Sequence, residues 1–198
     1  MHYVRRYVGY VIVLVIVGFI ALYFSRCAAT HLPVDHDQMS PTFKPDDWAM
    51  LHKSGRDPST VAAGLVGYEP LERGDVVRFA YGYPSYDSDE EVFMGRILAM
   101  EGERVAIRKG DVYWAPVGAE RINFDKNRVS ESHLSKDLLD PNLHFHEIVV
   151  PRGHVFLLTD NRKAVERKNV KLYKIDSRFL GPIPTSLIVG KLTKLLGD

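Results

Sequence analysis

The feature that most constrains this chain is an uninterrupted apolar run near its N-terminus. Residues 7–25 contain no charged side chain and are mostly aliphatic or aromatic. A helix rises about 1.5 Å per residue, so a run of this length matches the roughly 30 Å hydrocarbon core of a membrane. Helices in soluble cores normally keep one polar face, which this run lacks. The sequence therefore predicts a transmembrane helix over residues 7–25, after a short tail of residues 1–6.

The charges beside this run predict its orientation. Arg5 and Arg6 precede the span and Arg26 follows it, so the positive-inside rule places the N-terminus on the positive side and the rest of the chain across the membrane. A cleavable signal peptide is an alternative, with the small residues Cys27-Ala28-Ala29 as its cleavage site. Its apolar region should be only about 7–15 residues long. The alternative would leave a soluble, secreted domain.

The composition excludes several classes of protein. The chain carries 26 Lys+Arg against 25 Asp+Glu, a net charge of +1, so there is no basic excess of the kind that binds nucleic acid. Its single cysteine, Cys27, excludes an internal disulfide or a cysteine-rich metal module. The closest histidine pair, His144-x-His146, lies in a polar segment and is more typical of solvated residues than of metal ligands. We therefore expect no metal, no cofactor and no nucleic-acid partner.

The rest of the chain alternates short β-branched or apolar runs with Gly, Pro and Asp, which is typical of strands. The predicted strands are 48–51, 75–81, 92–100, 104–109, 111–115, 147–150 and 154–159. Lys109-Gly110-Asp111 and Pro151-Arg152-Gly153 have the composition of tight hairpin turns. Because helical periodicity and βαβ alternation are missing, the sequence predicts a mainly β, antiparallel domain over residues 26–198.

Three segments interrupt the strand pattern and are predicted to be insertions. They lie near residues 83–91, 118–146 and 162–175. The first is acidic and the third is basic, and both are interpreted as solvated loops, the basic one with a possible role in binding anionic lipid or an acidic partner. The middle segment is polar, and the sequence assigns it no task.

Motifs in a fixed order point to a family. They are Gln38-Met39-Ser40-Pro41-Thr42, Arg73-Gly74-Asp75-Val76-Val77, Gly95-Arg96-Ile97-Leu98-Ala99-Met100-Glu101-Gly102-Glu103, Val150-Pro151-Arg152-Gly153-His154, Thr159-Asp160-Asn161 and Asp176-Ser177-Arg178. With one N-terminal span, this set resembles the type I signal peptidases, the S26 Ser-Lys proteases. The short length, the run Ala99-Met100-Glu101-Gly102-Glu103 and the turn Val150-Pro151-Arg152-Gly153-His154 resemble the mitochondrial inner membrane peptidase branch. The resemblance implies a signal-peptidase-like β domain in which the Asp160 and Asp176 segments brace the site.

The resemblance also assigns the catalytic positions, and both are substituted. In the family, the serine of Ser-Met-x-Pro-Thr attacks the scissile carbonyl and a lysine before the arginine of the third motif takes its proton. These positions are Gln38 and Gly95 here. An amide is neither a nucleophile nor a base, glycine has no side chain, and the guanidinium of the neighbouring Arg96 stays protonated in proteins. The sequence therefore predicts a pseudoenzyme with no catalytic residues.

One enzymatic alternative stays open, in which the nucleophile has moved to Ser40. The base would then be His36, Lys53, Lys109 or His154. A shift of two residues along an extended chain moves the hydroxyl by about 6–7 Å relative to the oxyanion donors, which opposes this interpretation. It predicts an active signal peptidase that removes targeting peptides from membrane proteins.

The expected function is that of an inactive accessory or scaffold subunit in a larger membrane complex. The resemblance implies a mitochondrial inner membrane location with the β domain in the intermembrane space. Its partners would be other membrane-protein subunits, either an active S26 sibling or an unrelated assembly such as a respiratory-chain complex. The retained outline of the site would also allow an extended peptide to bind by strand addition without being cleaved.

Overall fold

The structure is a computed structural model that describes residues 2–32, 37–53, 70–80, 92–163, 165–167, 170–172 and 176–194. The helices are α1 (His2–Arg26) and the short α2 (Ser177–Leu180). The strands are β1 (Cys27–His31), β2 (Trp48–Lys53), β3 (Val76–Ala80), β4 (Val92–Ala99), β5 (Arg104–Arg108), β6 (Asp111–Ala115), β7 (Phe145–Val149), β8 (His154–Leu158), β9 (Val165–Arg167), β10 (Val170–Leu172), β11 (Ile183–Pro184) and β12 (Ile188–Lys194).

The strands form one large sheet and two small ones. The large sheet has seven strands in the order β1-β2-β12-β3-β4-β8-β11, and a three-stranded sheet has the order β6-β5-β7. Among the described residues, strands β9 and β10 pair with each other and with no other strand. Every ladder among the described strands is antiparallel. The predicted mainly β, antiparallel fold is confirmed.

The core lies on the large sheet and between it and the three-stranded sheet. One buried cluster joins Met39 and Phe43 to β2, β3, β4 and β12. A second lies under β3, β4 and β8, and a third packs Phe156 and Leu158 of β8 against Val105 and Ile107 of β5. Each fully buried side chain of this size contributes about 1.5–3 kcal/mol. Strands β4 and β8 contribute to the clusters on both sides, so they form the rigid centre of the domain.

Strands β1, β9, β10, β11 and β12 were not predicted from the sequence. Strand β12 lies between β2 and β3 and is central to the large sheet. Its run Ile188–Lys194 is interrupted by Gly190, which sequence patterns treat as a strand breaker. A Cβ atom at Gly190 would lie 2.3 Å from the His52 carbonyl oxygen, so the close approach of β2 requires glycine. The packing against β2 thus explains why Gly190 is present, and the same glycine explains why the sequence pattern does not predict β12.

The two predicted hairpin turns have different outcomes. Lys109 and Gly110 adopt left-handed backbone angles and connect β5 to β6 as a true hairpin. The prediction for Pro151-Arg152-Gly153 was wrong in part, because this turn connects β7 of the small sheet to β8 of the large one. It passes the chain from one layer to the other, and composition alone does not distinguish such a turn from a hairpin.

Helix α1 covers the whole predicted span and begins within the predicted tail. Its described side chains, residues 7–21, are exposed. Among the described residues, no helix meets the length and hydropathy expected of a membrane span. The transmembrane assignment therefore stays a prediction.

The three predicted insertions differ in how far the structure describes them. The acidic segment 83–91 lies outside the described residues. Residues 118–144 form turns and a short 3-10 helix, Lys136–Leu138, with Arg128 bridged to Tyr113 of β6, and residues 145–146 begin β7. The basic segment 162–175 contains the β9–β10 pair, and its first residue, Arg162, is only 2% exposed. The interpretation of Arg162 as part of a solvated loop was therefore wrong, because it pairs with a buried carboxylate described below.

Candidate functional site

The first motif lies in a turn, residues 37–43, that is held in place by its own apolar side chains. Met39 is fully buried and Phe43 is 2% exposed, both in the cluster that includes Met94. The Phe43 N–H donates to the Met39 carbonyl at 2.8 Å, which closes the turn. Because Met39 and Met94 are chain neighbours of Gln38 and Gly95, the fold brings these two segments to one region.

Gln38 is fixed by its backbone and has an unsatisfied side chain. Its carbonyl oxygen accepts the Asn161 N–H at 2.9 Å. Its side-chain Oε1 is buried and has no hydrogen-bond partner among the described residues. A buried acceptor without a partner costs about 1–3 kcal/mol. The structure thus places at the predicted nucleophile position an unsatisfied amide oxygen and no nucleophilic atom.

Gly95 lies in β4 against a filled space. It pairs with Val77 of β3, and a Cβ atom built on it would lie 3.1 Å from Cβ of Leu157 in β8. Leu157 is fully buried. A larger side chain at position 95 therefore needs Leu157 to move, and the structure provides no amine at the predicted base position.

The arginine next to Gly95 forms a complete polar bridge to the first motif. Arg96 donates from Nε and Nη2 to the two carboxylate oxygens of Asp160, at 2.8 and 2.6 Å. Its Nη2 also donates to Thr42 Oγ1 at 2.9 Å, and its Nη1 donates to the Gly74 carbonyl at 2.8 Å. The Asp160 side chain is 1% exposed. This paired, bidentate geometry stabilises a buried charge that would otherwise be costly.

Thr42 and Asp160 are the retained hydroxyl and carboxylate at this bridge, and neither is free for chemistry. Thr42 Oγ1 donates to Asp160 Oδ2 and accepts from Arg96. Asp160 Oδ1 already faces both Arg96 Nε and, at 3.4 Å, His133 Nε2. We therefore interpret the pair as a bracket that holds the first-motif turn to β4 and β8.

A second bracket lies behind the first. Asp176 is fully buried, caps α2 by accepting the Arg178 N–H at 3.0 Å, and accepts the Arg178 Nε–H at 2.9 Å. It also accepts the Thr159 N–H at 3.2 Å. Ser177 Oγ accepts the Leu157 N–H at 2.8 Å, which ties the same segment to β8. The sequence predicts that the Asp160 and Asp176 segments brace the site. The contacts tie the Asp160 segment to Thr42 and the Asp176 segment to β8, and the bracing role stays a prediction.

Residues of the 118–146 insertion also reach this region, which the sequence did not predict. Glu131 forms an ion pair with Arg162, with side chains 10% and 1% exposed. The Arg162 N–H donates to the Leu138 carbonyl at 2.9 Å, and His133 lies beside Asp160. The pairing spans 31 residues of chain, and no local pattern signals a contact of that range.

Ser40, the alternative nucleophile, is half-buried, and its N–H donates to the Asp37 carbonyl at 3.1 Å. Of its four candidate bases, His36 lies outside the described residues and the side chain of Lys53 is not described. Lys109 lies in the β5–β6 turn, and His154 Nδ1 lies 2.8 Å from the Arg152 carbonyl oxygen. Within the described part of the chain, neither Lys109 nor His154 contacts Ser40.

The described residues contain no group of three His, Cys, Asp or Glu side chains placed to hold a metal ion. His146, one of the paired histidines, stacks on Phe145 with the ring centroids 5.0 Å apart.

Comparison with known proteins agrees with the motifs. Residues 5–196 match the family described as signal peptidase, peptidase S26. The chain is 23% identical over 182 residues to "Inactive signal peptidase IA" of Staphylococcus aureus, covering 85% of this chain and 93% of that protein. It is 24% identical over 162 residues to "Signal peptidase I V" of Bacillus subtilis, covering 81% of each.

Two further similarities are less extensive. The chain is 32% identical over 111 residues to "Thylakoidal processing peptidase 1, chloroplastic" of Arabidopsis thaliana. This match covers 55% of this chain and 26% of that protein. A crystal structure of a signal peptidase I from Enterococcus faecalis is 23% identical, covers 63% of this chain and 98% of its own, and has a TM-score of 0.39. Since the family match spans nearly the whole chain, this protein belongs to the signal peptidase family, peptidase S26.

Proposed function

We propose that this protein is a non-catalytic, membrane-anchored member of the S26 family that acts as an accessory or scaffold subunit of a membrane complex. One observation carries the proposal. The polar bridge of Thr42, Arg96 and Asp160 is complete, whereas Gln38 and Gly95 supply neither a nucleophile nor a base. The frame of the site is kept and its chemical groups are replaced. The name "Inactive signal peptidase IA" of the Staphylococcus aureus relatives supports the same conclusion.

The frame is suited to hold an extended peptide. The Gln38 carbonyl is held by Asn161, and the Gln38 N–H makes no hydrogen bond to the described part of the chain. A backbone donor that is left unused in a fixed turn is available to the carbonyl of a ligand strand, which is the basis of strand addition. We propose that such a peptide, from a partner or a precursor, binds without being cut.

Anchoring through α1 is supported by its surface. The structure records 12 large apolar side chains between Tyr7 and Ile20 that are 50–70% exposed. Exposed apolar area of this extent is typical of membrane or protein contact surfaces. Carbonate extraction of native membranes tests the anchor. Recovery in the membrane pellet is expected, and release into the supernatant would contradict it.

The mitochondrial inner membrane is retained as the proposed location on sequence motifs alone, with an active S26 sibling or a respiratory-chain assembly as partner. Gentle solubilisation of native membranes, native electrophoresis and mass spectrometry test this. Co-migration with a large assembly is expected, and the co-migrating subunits identify the complex. Migration as a single chain with its detergent would contradict the scaffold role.

The absence of catalysis is tested by incubating the purified full chain with a precursor that carries an Ala-x-Ala cleavage sequence. We expect no cleavage above the level without protein. Cleavage by the unmodified chain that Ser40→Ala abolishes would replace this proposal with the relocated-nucleophile enzyme.

A further inference from the structure

The insertion at residues 118–146 contacts the site through a short segment, residues 131–138, which we call the insertion arm. The arm touches residues 159–162, called the motif loop, at three points. Glu131 pairs with Arg162, the Leu138 carbonyl accepts the Arg162 N–H, and His133 lies beside Asp160. Such a set of contacts makes the arm a neighbour of the site and not a separate surface loop.

The ion pair in the arm is as buried as the two bracket pairs, Arg96 with Asp160 and Arg178 with Asp176. Arg162 donates from Nη1 and Nη2 to the two oxygens of Glu131, and the two side chains are 1% and 10% exposed. By contrast, the pair of Arg104 and Glu147 on the three-stranded sheet is half-buried, 28% and 25% exposed, and joins through a single Nη1 contact of 3.0 Å. A buried, bidentate pair holds its two side chains in one geometry, whereas the more an ion pair is exposed, the less it contributes to the stability of the fold.

This pair fixes the residue that holds Gln38. Two consecutive amides of the motif loop point to different partners, since the Asn161 N–H donates to the Gln38 carbonyl and the Arg162 N–H to the Leu138 carbonyl, both at 2.9 Å. The motif loop is therefore clamped between the first-motif turn and the arm. Release of Arg162 from Glu131 would loosen the amide that positions the Gln38 carbonyl.

The same arm brings a partly open side chain to the site. His133 Nε2 lies 3.4 Å from Asp160 Oδ1, and the side chain is 33% exposed while Asp160 is 1% exposed. An imidazole that faces a carboxylate with one nitrogen has the other available to a ligand. His133 is thus a partly exposed side chain of the arm that lies directly beside Asp160.

We propose that the insertion arm is a wall of the peptide site, in which Glu131 is a positioning residue that acts through Arg162 and His133 contacts the bound peptide. The inference rests on the peptide binding proposed above and deepens it. It assigns a task to a segment outside the family motifs.

The experiment measures Kd and backbone exchange on the full chain in detergent. The probe is a short fluorescein-labelled peptide with an Ala-x-Ala sequence, followed by fluorescence anisotropy, and hydrogen exchange is followed in fragments that cover residues 159–163. The variants are Glu131→Gln and His133→Ala. Their matched controls are Glu147→Gln, from the half-buried pair, and His146→Ala, from the stacked ring.

We expect Glu131→Gln to raise Kd by about tenfold, which corresponds to roughly 1.4 kcal/mol, and to speed exchange in the motif loop. We expect His133→Ala to raise Kd by about 3- to 10-fold with exchange unchanged, and both controls to match the unmodified chain. If Glu131→Gln fails to fold, Glu131→Asp keeps the charge and should give an intermediate Kd.

The outcomes separate the two proposals. Failure of the unmodified chain to bind the peptide overturns the proposed peptide binding. Motif-loop exchange in Glu131→Gln equal to that in Glu147→Gln overturns the positioning role, whether or not the peptide binds. Binding that His133→Ala leaves unchanged overturns the ligand contact.

Discussion

The two predicted catalytic positions and the two polar brackets of the site differ in how completely their side chains are paired. At the two positions that the motifs assign to catalysis, Gln38 has an unsatisfied amide oxygen and Gly95 lies against a filled space. At the brackets, Arg96, Asp160, Asp176 and Arg178 are all present and paired. The physical difference is that a lost nucleophile leaves no buried charge behind, whereas a lost bracket residue leaves its partner charged and unpaired. Losing a catalytic side chain therefore lowers the stability of such a fold less than losing a bracket side chain.

The largest effect is expected at the first bracket. Asp160→Asn leaves the Arg96 guanidinium without its carboxylate and should lower the free energy of unfolding by about 3–5 kcal/mol. Urea unfolding of the full chain in detergent, followed by tryptophan fluorescence, measures it. Asp111→Asn is the control, because its partner Arg128 is 62% exposed, and it should cost less than about 1 kcal/mol. Equal losses of unfolding free energy in the two variants would show that the buried pair stabilises the fold no more than the exposed pair does.

A smaller effect is expected at the lost base position. Gly95→Lys brings a Cβ atom to 3.1 Å from Leu157 and should destabilise the domain by about 1–3 kcal/mol through overpacking. A double-mutant cycle with Leu157→Gly, which removes the Cβ atom in contact, measures the coupling. The double variant should be more stable than the sum of the two single losses predicts, by about 0.5–3 kcal/mol. Strict additivity would show that Leu157 does not limit the space at position 95.

At the predicted nucleophile position, Gln38, we expect a substitution to raise the free energy of unfolding instead of lowering it. Gln38→Met keeps the length of the side chain and removes the unsatisfied acceptor, so it should raise the free energy of unfolding by about 1 kcal/mol. Gln38→Glu has the shape of the native residue but carries a charge, and should instead lower it. The same urea experiment reads both variants. A loss of stability in Gln38→Met would mean that the amide has a favourable partner.

The smallest effect is expected at Ser40. Within the described residues its hydroxyl has no hydrogen-bond partner, so Ser40→Ala should change the free energy of unfolding by less than about 0.5 kcal/mol. A loss well above this would assign the hydroxyl a structural role that its contacts do not show.

Much of the fold was predictable from local patterns, and the exceptions have physical causes. Strands β2 to β8 follow short apolar runs between turn residues, and the hairpin at Lys109-Gly110 follows from its left-handed turn. Strand β12 was missed because Gly190 interrupts its pattern, although the contact with β2 requires that glycine. The turn at 151–153 was predicted correctly as a turn, but the strands that it connects are in different sheets.

The candidate site was predictable to a similar extent. The motifs assign Gln38 and Gly95 to the catalytic positions, which stays a prediction, and the geometry joins Thr42, Arg96 and Asp160 as a bracket. The burial of Arg162 and its pairing with Glu131 were not predictable, because a charged run in a sequence looks the same whether its first residue is solvated or paired across the fold.

The sequence alone determined the family and the antiparallel β class, and it predicts Gln38 and Gly95 at the two chemical positions, since each depends on residue type and spacing along the chain. Only the tertiary structure decided which charges are buried, that Leu157 fills the space beside Gly95, and that the insertion arm meets the motif loop. These depend on which distant segments are brought into contact, and burial and pairing energies arise only from that contact.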